Sequence, residues 1–91
     1  MYLHLGYEVS IRARDVIGIF DLDTATVSKD TKEFLRKCED NDMVTNISSD
    51  LPKSFVLCYY NGDIQVFISA ISSNTLKKRA SYPTGAAPAL K

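Results

Sequence analysis

The chain has 91 residues, of which 45% are hydrophobic and 24% are charged, and its eleven basic residues balance its eleven acidic ones. This length and composition predict one globular domain, exclude a large multidomain enzyme and give no whole-molecule charge typical of a protein that binds nucleic acid or membranes. A chain this short buries a modest share of its surface when it folds, so self-association is expected.

The charges are unevenly distributed along the chain. Residues 15–50 hold nine acidic and four basic residues, whereas residues 51–91 hold one acidic and five basic residues. Two differently solvated faces explain such an asymmetry most simply. The same asymmetry can also orient subunits or turn one face toward an anionic partner.

Three strands are predicted at the start of the chain. On both sides of Gly6, apolar residues recur at every second position, at Leu3, Leu5, Val9 and Ile11. This period of two predicts two short strands. The next run, VIGIF at 16–20, is apolar on both faces, which predicts a central strand covered on each side. Within it, Gly18 is expected to mark a bulge or a close approach of the backbone.

One main helix is predicted after a polar connection at 21–27. Ser28 can cap its first turn, and Asn41 with Asp42 is expected to end it. Apolar and small residues recur at helical spacing on the side expected to pack on the sheet: Thr31, Phe34, Leu35 and Cys38. Extended structure is expected to resume at 43–47.

A hairpin is predicted within residues 53–71, where Asn61-Gly62 suits a two-residue type I′ turn. Pairing Tyr60 with Asp63 places one set of side chains on a core face: Phe55, Leu57, Tyr59, Ile64, Val66 and Ile68. The reverse face is more apolar than a solvent-facing surface needs, and it carries Val56, Cys58, Tyr60 and Phe67. We expect it to receive a helix or another subunit, with Phe67, Tyr60 and Val56 as the candidate oligomer interface.

A short helix is predicted at 74–80, capped by Ser72 or Ser73 and docked through Leu76. The segment 81–91 is interrupted by prolines and offers little apolar surface, which predicts a flexible tail after a domain at 1–80. The order of elements predicts an α+β fold: a small antiparallel or mixed β-sheet with one main helix and a short C-terminal helix.

Enzymatic chemistry is not expected. The single histidine, His4, has no evident nucleophile beside it, and no glycine-rich phosphate loop occurs. Asp21 and Asp23 lack the further ligands of a calcium loop. We therefore expect no catalytic residues, no cofactor, no metal site and no small-molecule substrate.

The compartment expected from the sequence is the cytoplasm. The start, Met1 to Gly6, has neither the basic nor the continuous apolar region typical of a signal peptide, and no apolar stretch is long enough to span a membrane, so we expect neither a signal peptide nor a membrane partner. Cys38 and Cys58 have no metal-binding spacing, and in a reducing compartment they are expected to be free, buried thiols.

Separated cations are the remaining functional candidates. Arg12 and Arg14 precede the third strand, Lys53 opens the hairpin, and the last helix carries Lys77, Lys78 and Arg79. If the sheet brings the first three to one edge, they can bind phosphates without reading base sequence. Two or three such contacts bind duplex DNA weakly, but an oligomer repeats them on one surface.

Four segments of the sequence resemble a known family. MYLHLG, VSIRARDVIGIFDLD, PKSFVL and ISAISSNTLKKRA occur in one order across residues 1–80. Together they resemble the RemA/RemB-like family of bacterial extracellular-matrix regulators, and its RemB branch most. The resemblance implies a cytoplasmic, DNA-binding homo-oligomer, of ring-like form, that activates biofilm-matrix genes and has a fold akin to LytTR domains.

The resemblance also implies site residues. Arg14 matches the family's phosphate-contacting arginine, and Arg12 substitutes for it if the register shifts. The RemA branch carries an arginine pair before the hairpin, where this chain has Leu51 and Pro52, followed by Lys53. We therefore predict double-stranded DNA and a second copy of the chain as partners, with Arg14, Arg12 and Lys53 nearest the phosphates. The alternative is an assembly module that does not bind DNA.

Overall fold

The computed structural model describes residues 2–25, 28–48 and 51–81. In chain order the elements are β1 Tyr2–Gly6, β2 Val9–Arg12, a 3-10 turn at Ala13–Asp15, β3 Val16–Asp21, α1 Leu22–Ala25, α2 Lys29–Asp40, β4 Val44–Asn46, β5 Ser54–Tyr60, β6 Asp63–Ser69 and α3 Ser73–Ser81. The predicted α+β class, with one main helix and a short C-terminal helix, is confirmed. The tail predicted at 81–91 lies outside the described residues, except for Ser81.

The strands form two sheets. β1 and β2 pair with each other around Gly6 as an antiparallel hairpin. The other four strands have the order β3-β5-β6-β4, in which β4 runs parallel to β6 and the remaining pairs are antiparallel. The larger sheet is therefore mixed, as the sequence allowed.

The β5–β6 hairpin has the predicted register. Tyr60 lies opposite Asp63, and Asn61 and Gly62 have positive φ angles of 54° and 84°. Two consecutive positive φ angles define a type I′ turn, which Asn-Gly favours because neither residue strains there as a bulky side chain would. The period-two pattern then separates the hairpin's two faces as the sequence predicted, except that Tyr59, expected on the core face, is 54% exposed near the tip of the hairpin.

Each face of the larger sheet is covered by elements of the same chain. On one face, α2 contributes Cys38 to a cluster with Phe55 and Val66. On the reverse face, the β1–β2 hairpin and α3 complete a second cluster: Leu3, Leu5, Ile11, Val56, Cys58 and Leu76. The sequence predicted that a helix or another subunit would cover the reverse face. In this part of the face, the cover is the chain's own helix α3 together with the β1–β2 hairpin.

β3 is an edge strand, which corrects the central position predicted for it. It stands at one end of the strand order β3-β5-β6-β4, so β5 is its single neighbour among the described strands. Val16 and Ile19 of this run pack on the second cluster, and the Phe20 ring stacks on Phe55 on the other face, although Ile17 and Phe20 stay exposed. The bulge expected at Gly18 is confirmed by a register shift between Val16 and Gly18.

The helix ends follow the predicted capping. Ser28 Oγ accepts a hydrogen bond from the Thr31 amide at 3.4 Å at the start of α2. Ser72 Oγ accepts one from the Thr75 amide at 3.2 Å, so Ser72 rather than Ser73 caps α3. Within the predicted apolar stripe of α2, Cys38 is buried, whereas Phe34 remains 41% exposed.

Candidate functional site

Arg12 and Arg14 flank the 3-10 turn that joins β2 to β3. Arg12 ends β2 with extended backbone angles, and its Nε lies 3.7 Å from Oδ2 of Asp15. Both arginines are exposed. An exposed ion pair of this length contributes little to stability, so both guanidinium groups remain able to bind an anion in solvent.

Arg14 shares a groove with Lys77 of α3. The groove has a volume of about 400 Å³ and is lined by Ala13, Arg14, Val16, Gly18, Ile19, Lys77 and Ala80. It forms because Leu76 is fully buried beneath α3, which places the next residue, Lys77, at the margin of the contact with β3. Two cations and no carboxylate line this groove among the described residues.

A second contact fixes α3 beside β1. Arg79 Nη1 donates a hydrogen bond to the backbone oxygen of His4 at 3.4 Å. The His4 Nε2 lies 2.6 Å from the backbone oxygen of Tyr7 and donates to it across the turn between β1 and β2. His4 therefore stabilises a turn at the surface, and Arg79 is partly engaged by backbone.

Lys53 lies at the opposite end of the β3–β5 pair from Arg14. Arg14 precedes Val16, which pairs with Cys58, whereas Lys53 precedes Ser54, which pairs with Asp21. With about 3.3 Å of rise per residue, the two ends are roughly 17 Å apart. Lys53 is held there through its backbone, which accepts from the Leu22 amide at 3.0 Å and donates to the Ser69 oxygen at 2.8 Å. One protomer therefore does not gather Arg12, Arg14 and Lys53 at one place.

Sequence reasoning named Lys77 as a cation but did not place it with Arg14. The available signal was the inward position predicted for Leu76, since the residue beside a docked position lies at the helix margin. The missing information was that α3 packs against β3, a contact between segments more than 50 residues apart in the sequence.

The predicted oligomer interface is only partly available in the protomer. Tyr60 is 51% exposed, and Phe67 is half-buried against the second cluster. Both line a cleft of about 440 Å³ between β2 and the hairpin tip. The prediction that Val56 belongs to the oligomer interface is wrong, because its side chain is fully buried in the protomer's own core and presents no surface to a partner.

Asp21, the last residue of β3, has a structural role. Asp21 Oδ1 accepts a hydrogen bond from the Thr24 amide at 3.1 Å, which caps the short helix α1. The sequence had predicted a polar connection there rather than a helical turn. Within the described ranges, no three His, Cys, Asp or Glu side chains are grouped as metal ligands would be.

Cys38 and Cys58 are free and buried. Burial raises the pKa of both thiols, and the carboxylate of Asp15 adds to the increase in pKa at Cys58. The neutral thiol is therefore the stable form of each, which suits apolar packing rather than nucleophilic chemistry.

The family model described as "RemA-like: Extracellular matrix regulatory protein A-like" matches residues 2–80. The chain belongs to the RemA-like family. A relative from Bacillus subtilis (strain 168), Extracellular matrix regulatory protein B, is 39% identical over 82 residues, which cover 90% of this chain and 93% of the relative. The resemblance to the RemA/RemB-like family is thus confirmed, and membership supports a role in regulating the extracellular matrix. The likeness to LytTR domains stays a prediction.

The RemA-like chain differs at the loop before β5 from the arginine pair expected of the RemA branch. Leu51 stands there with 76% of its surface exposed, and Pro52 follows it. Lys53 is then the only cation of residues 51–53.

In the part of the chain that the structure describes, no helix combines the length and apolar composition needed to cross a bilayer.

Proposed function

We propose that this RemA-like protein is a cytoplasmic transcriptional regulator of extracellular-matrix genes that binds duplex DNA as a homo-oligomer. The observation that supports it is the groove in which Arg14 and Lys77 meet without a lining carboxylate. A guanidinium fork and an ammonium group at one groove suit two phosphate oxygens. Arg12, two residues before Arg14, adds a third cation at the same end of β3.

Oligomerisation is needed for this proposal to work quantitatively. Affinity for DNA rises with the number of phosphates neutralised, and one protomer offers about three cations at this site. Repeating the site in several copies makes later contacts intramolecular and raises the overall affinity. The zero net charge of the chain is no obstacle, because the cations lie together at one end of β3 and α3.

Binding to a fluorescently labelled duplex, followed by anisotropy over a salt series, tests the proposal. Changing Arg14→Gln or Lys77→Gln should weaken binding and make the slope of log K against log salt shallower by about 0.9 for each phosphate that the variant no longer neutralises. Arg36→Gln is the matched control, since it removes the same charge from an exposed position on α2. An unchanged slope in Arg14→Gln and Lys77→Gln would remove this groove from the DNA site.

A second function, an assembly module without DNA affinity, is favoured by Leu51 and Pro52. These residues supply no charge where the RemA branch has two guanidinium groups, and Lys53 lies apart from the Arg14 groove. This function predicts no anisotropy change at low salt, while light scattering still reports a multiple of the chain mass. Binding at low salt that weakens as salt rises would contradict it.

A further inference from the structure

The outer edge of β3 is open. The Leu22 amide donates to the Lys53 oxygen, and hydrogen bonding alternates along an antiparallel pair. The amide and carbonyl of Ile19 and the amide of Asp21 therefore point away from β5, whereas the Asp21 carbonyl accepts the first hydrogen bond of α1. No strand of the described ranges lies on that side. Unpaired strand edges are templates for pairing with another chain.

Apolar side chains accompany this open edge. Ile17, in the bulge, is 55% exposed, and Phe20 is 39% exposed. Phe20 stacks on Phe55 with ring centroids 5.0 Å apart. Together with Phe34 of α2, these rings line a groove of about 290 Å³ beside the strand. Exposed large apolar side chains next to an open strand edge are typical of an interaction surface.

The two ends of β3 carry opposite charge, which indicates the direction of the partner strand. Before β3 lie Arg12, Arg14 and the nearby Lys77, against one carboxylate, Asp15. At its other end β3 closes with Asp21, Asp23 follows it, Asp30 lines the aromatic groove, and Lys53 is the cation beside this end in the neighbouring strand. An antiparallel copy of the same strand sets each basic end beside an acidic end, whereas a parallel copy sets like charges together.

We propose that β3 pairs antiparallel with β3 of a second copy of this chain, joining the two larger sheets into one. This inference rests on the proposed function and deepens it. The two-fold axis of such a pair is perpendicular to the sheet, so both copies present the same face to the same side. The Arg14–Lys77 groove lies on the face covered by α3. Pairing therefore places two basic grooves on one face, where a single duplex can reach both.

The test changes the exposed side chain in the bulge and measures mass. Ile17→Lys puts like charges into the two-fold interface, and lysine on an edge strand opposes pairing. Tyr60→Lys is the matched control, because Tyr60 is similarly exposed but lies at the other cleft. Light scattering coupled to size exclusion should show the mass of Ile17→Lys falling at least twofold at equal concentration, with the mass of Tyr60→Lys unchanged. Circular dichroism checks that each variant is folded.

A second variant guards against a folding defect. Phe34→Lys changes an exposed helix position across the aromatic groove and should also lower the mass. A folded Ile17→Lys protein of wild-type mass overturns the β3 interface. A lower mass in Tyr60→Lys alone also overturns it and indicates that the subunits meet at the cleft lined by Tyr60. Both results leave the proposed DNA binding standing. An assembly that dissociates in Ile17→Lys but never binds the duplex supports the interface and overturns the DNA function.

Discussion

Ser69 connects two parts of the chain that lie 64 residues apart in the sequence. Its hydroxyl donates to the Leu5 oxygen at 2.6 Å and accepts from the Ile71 amide at 3.0 Å, and the residue is fully buried. It thereby holds the β1–β2 hairpin onto the end of β6. Sequence patterning did not indicate this role, because a serine at the end of a strand is compatible with an exposed cap.

Replacing Ser69→Ala should lower the free energy of unfolding by about 1–3 kcal/mol, because the Leu5 carbonyl and Ile71 amide lose a buried partner. Urea unfolding followed by circular dichroism measures the change. Ser10→Ala, at an exposed position on β2, is the control and should stay within about 0.5 kcal/mol of wild type. Equal effects from the two substitutions would show that the buried hydroxyl is not needed.

Gly18 leaves room for the ring of Phe20. A Cβ at Gly18 would lie 2.6 Å from two ring carbons of Phe20, closer than atoms can pack. Gly18→Ala should therefore push the ring off Phe55, and since Phe20 is 39% exposed and can move outward, the cost in unfolding free energy should be that of the lost ring pair, about 0.5–1.5 kcal/mol. The same variant combined with Phe20→Ala should recover part of that loss. No recovery in the double variant would mean that the ring is not the obstacle.

At the scale of elements, the largest side chain that docks α3 is Leu76. Leu76 is fully buried within the cluster formed with the β1–β2 hairpin, whereas Asn74 and Lys77 of the same helix are exposed. Leu76→Ala should cost about 2–5 kcal/mol, since it removes buried methyl groups and leaves a cavity. Leu51→Ala deletes the same atoms from an exposed loop and should have a negligible effect. Thermal unfolding of the two variants gives the comparison.

The position of α3 also matters for the proposed site. Lys77 reaches the Arg14 groove only while Leu76 holds α3 against the sheet. We therefore expect Leu76→Ala to weaken DNA binding below the temperature at which the variant unfolds, by displacing Lys77. Retained affinity and salt slope in folded Leu76→Ala would show that the docked position of α3 does not matter for binding.

At the scale of the whole molecule, a buried thiol should lower the free energy of unfolding at alkaline pH. Burial raises the pKa of Cys58 above that of an unfolded thiol, with Asp15 adding to the rise. The neutral thiol's stabilisation is therefore fully present at neutral pH and is lost as pH rises above about 8.5. Urea unfolding at neutral and at alkaline pH measures this loss for the wild type and for Cys58→Ala. The free energy of unfolding should fall more in the wild type than in Cys58→Ala. Equal losses would contradict this account.

The sequence alone predicted the local structure well. Alternation of apolar residues and the Asn61-Gly62 turn determine the hairpin and its register, and Ser28 and Ser72 determine where two helices begin. These features depend on neighbours along the chain, through backbone angles, capping bonds and periodicity. The family segments were likewise visible in the printed sequence, because they are patterns of residues rather than of contacts.

Tertiary structure decided what local patterns leave open. β3 was predicted to be central because it is apolar on both faces, yet it is an edge strand covered on those faces and open at its side. Arg14 meets Lys77, and Lys53 lies at the far end of the same strand pair. Which strands neighbour each other, and which distant side chains share a groove, depends on how α3 and the β1–β2 hairpin bury apolar surface together, and no local pattern encodes that choice.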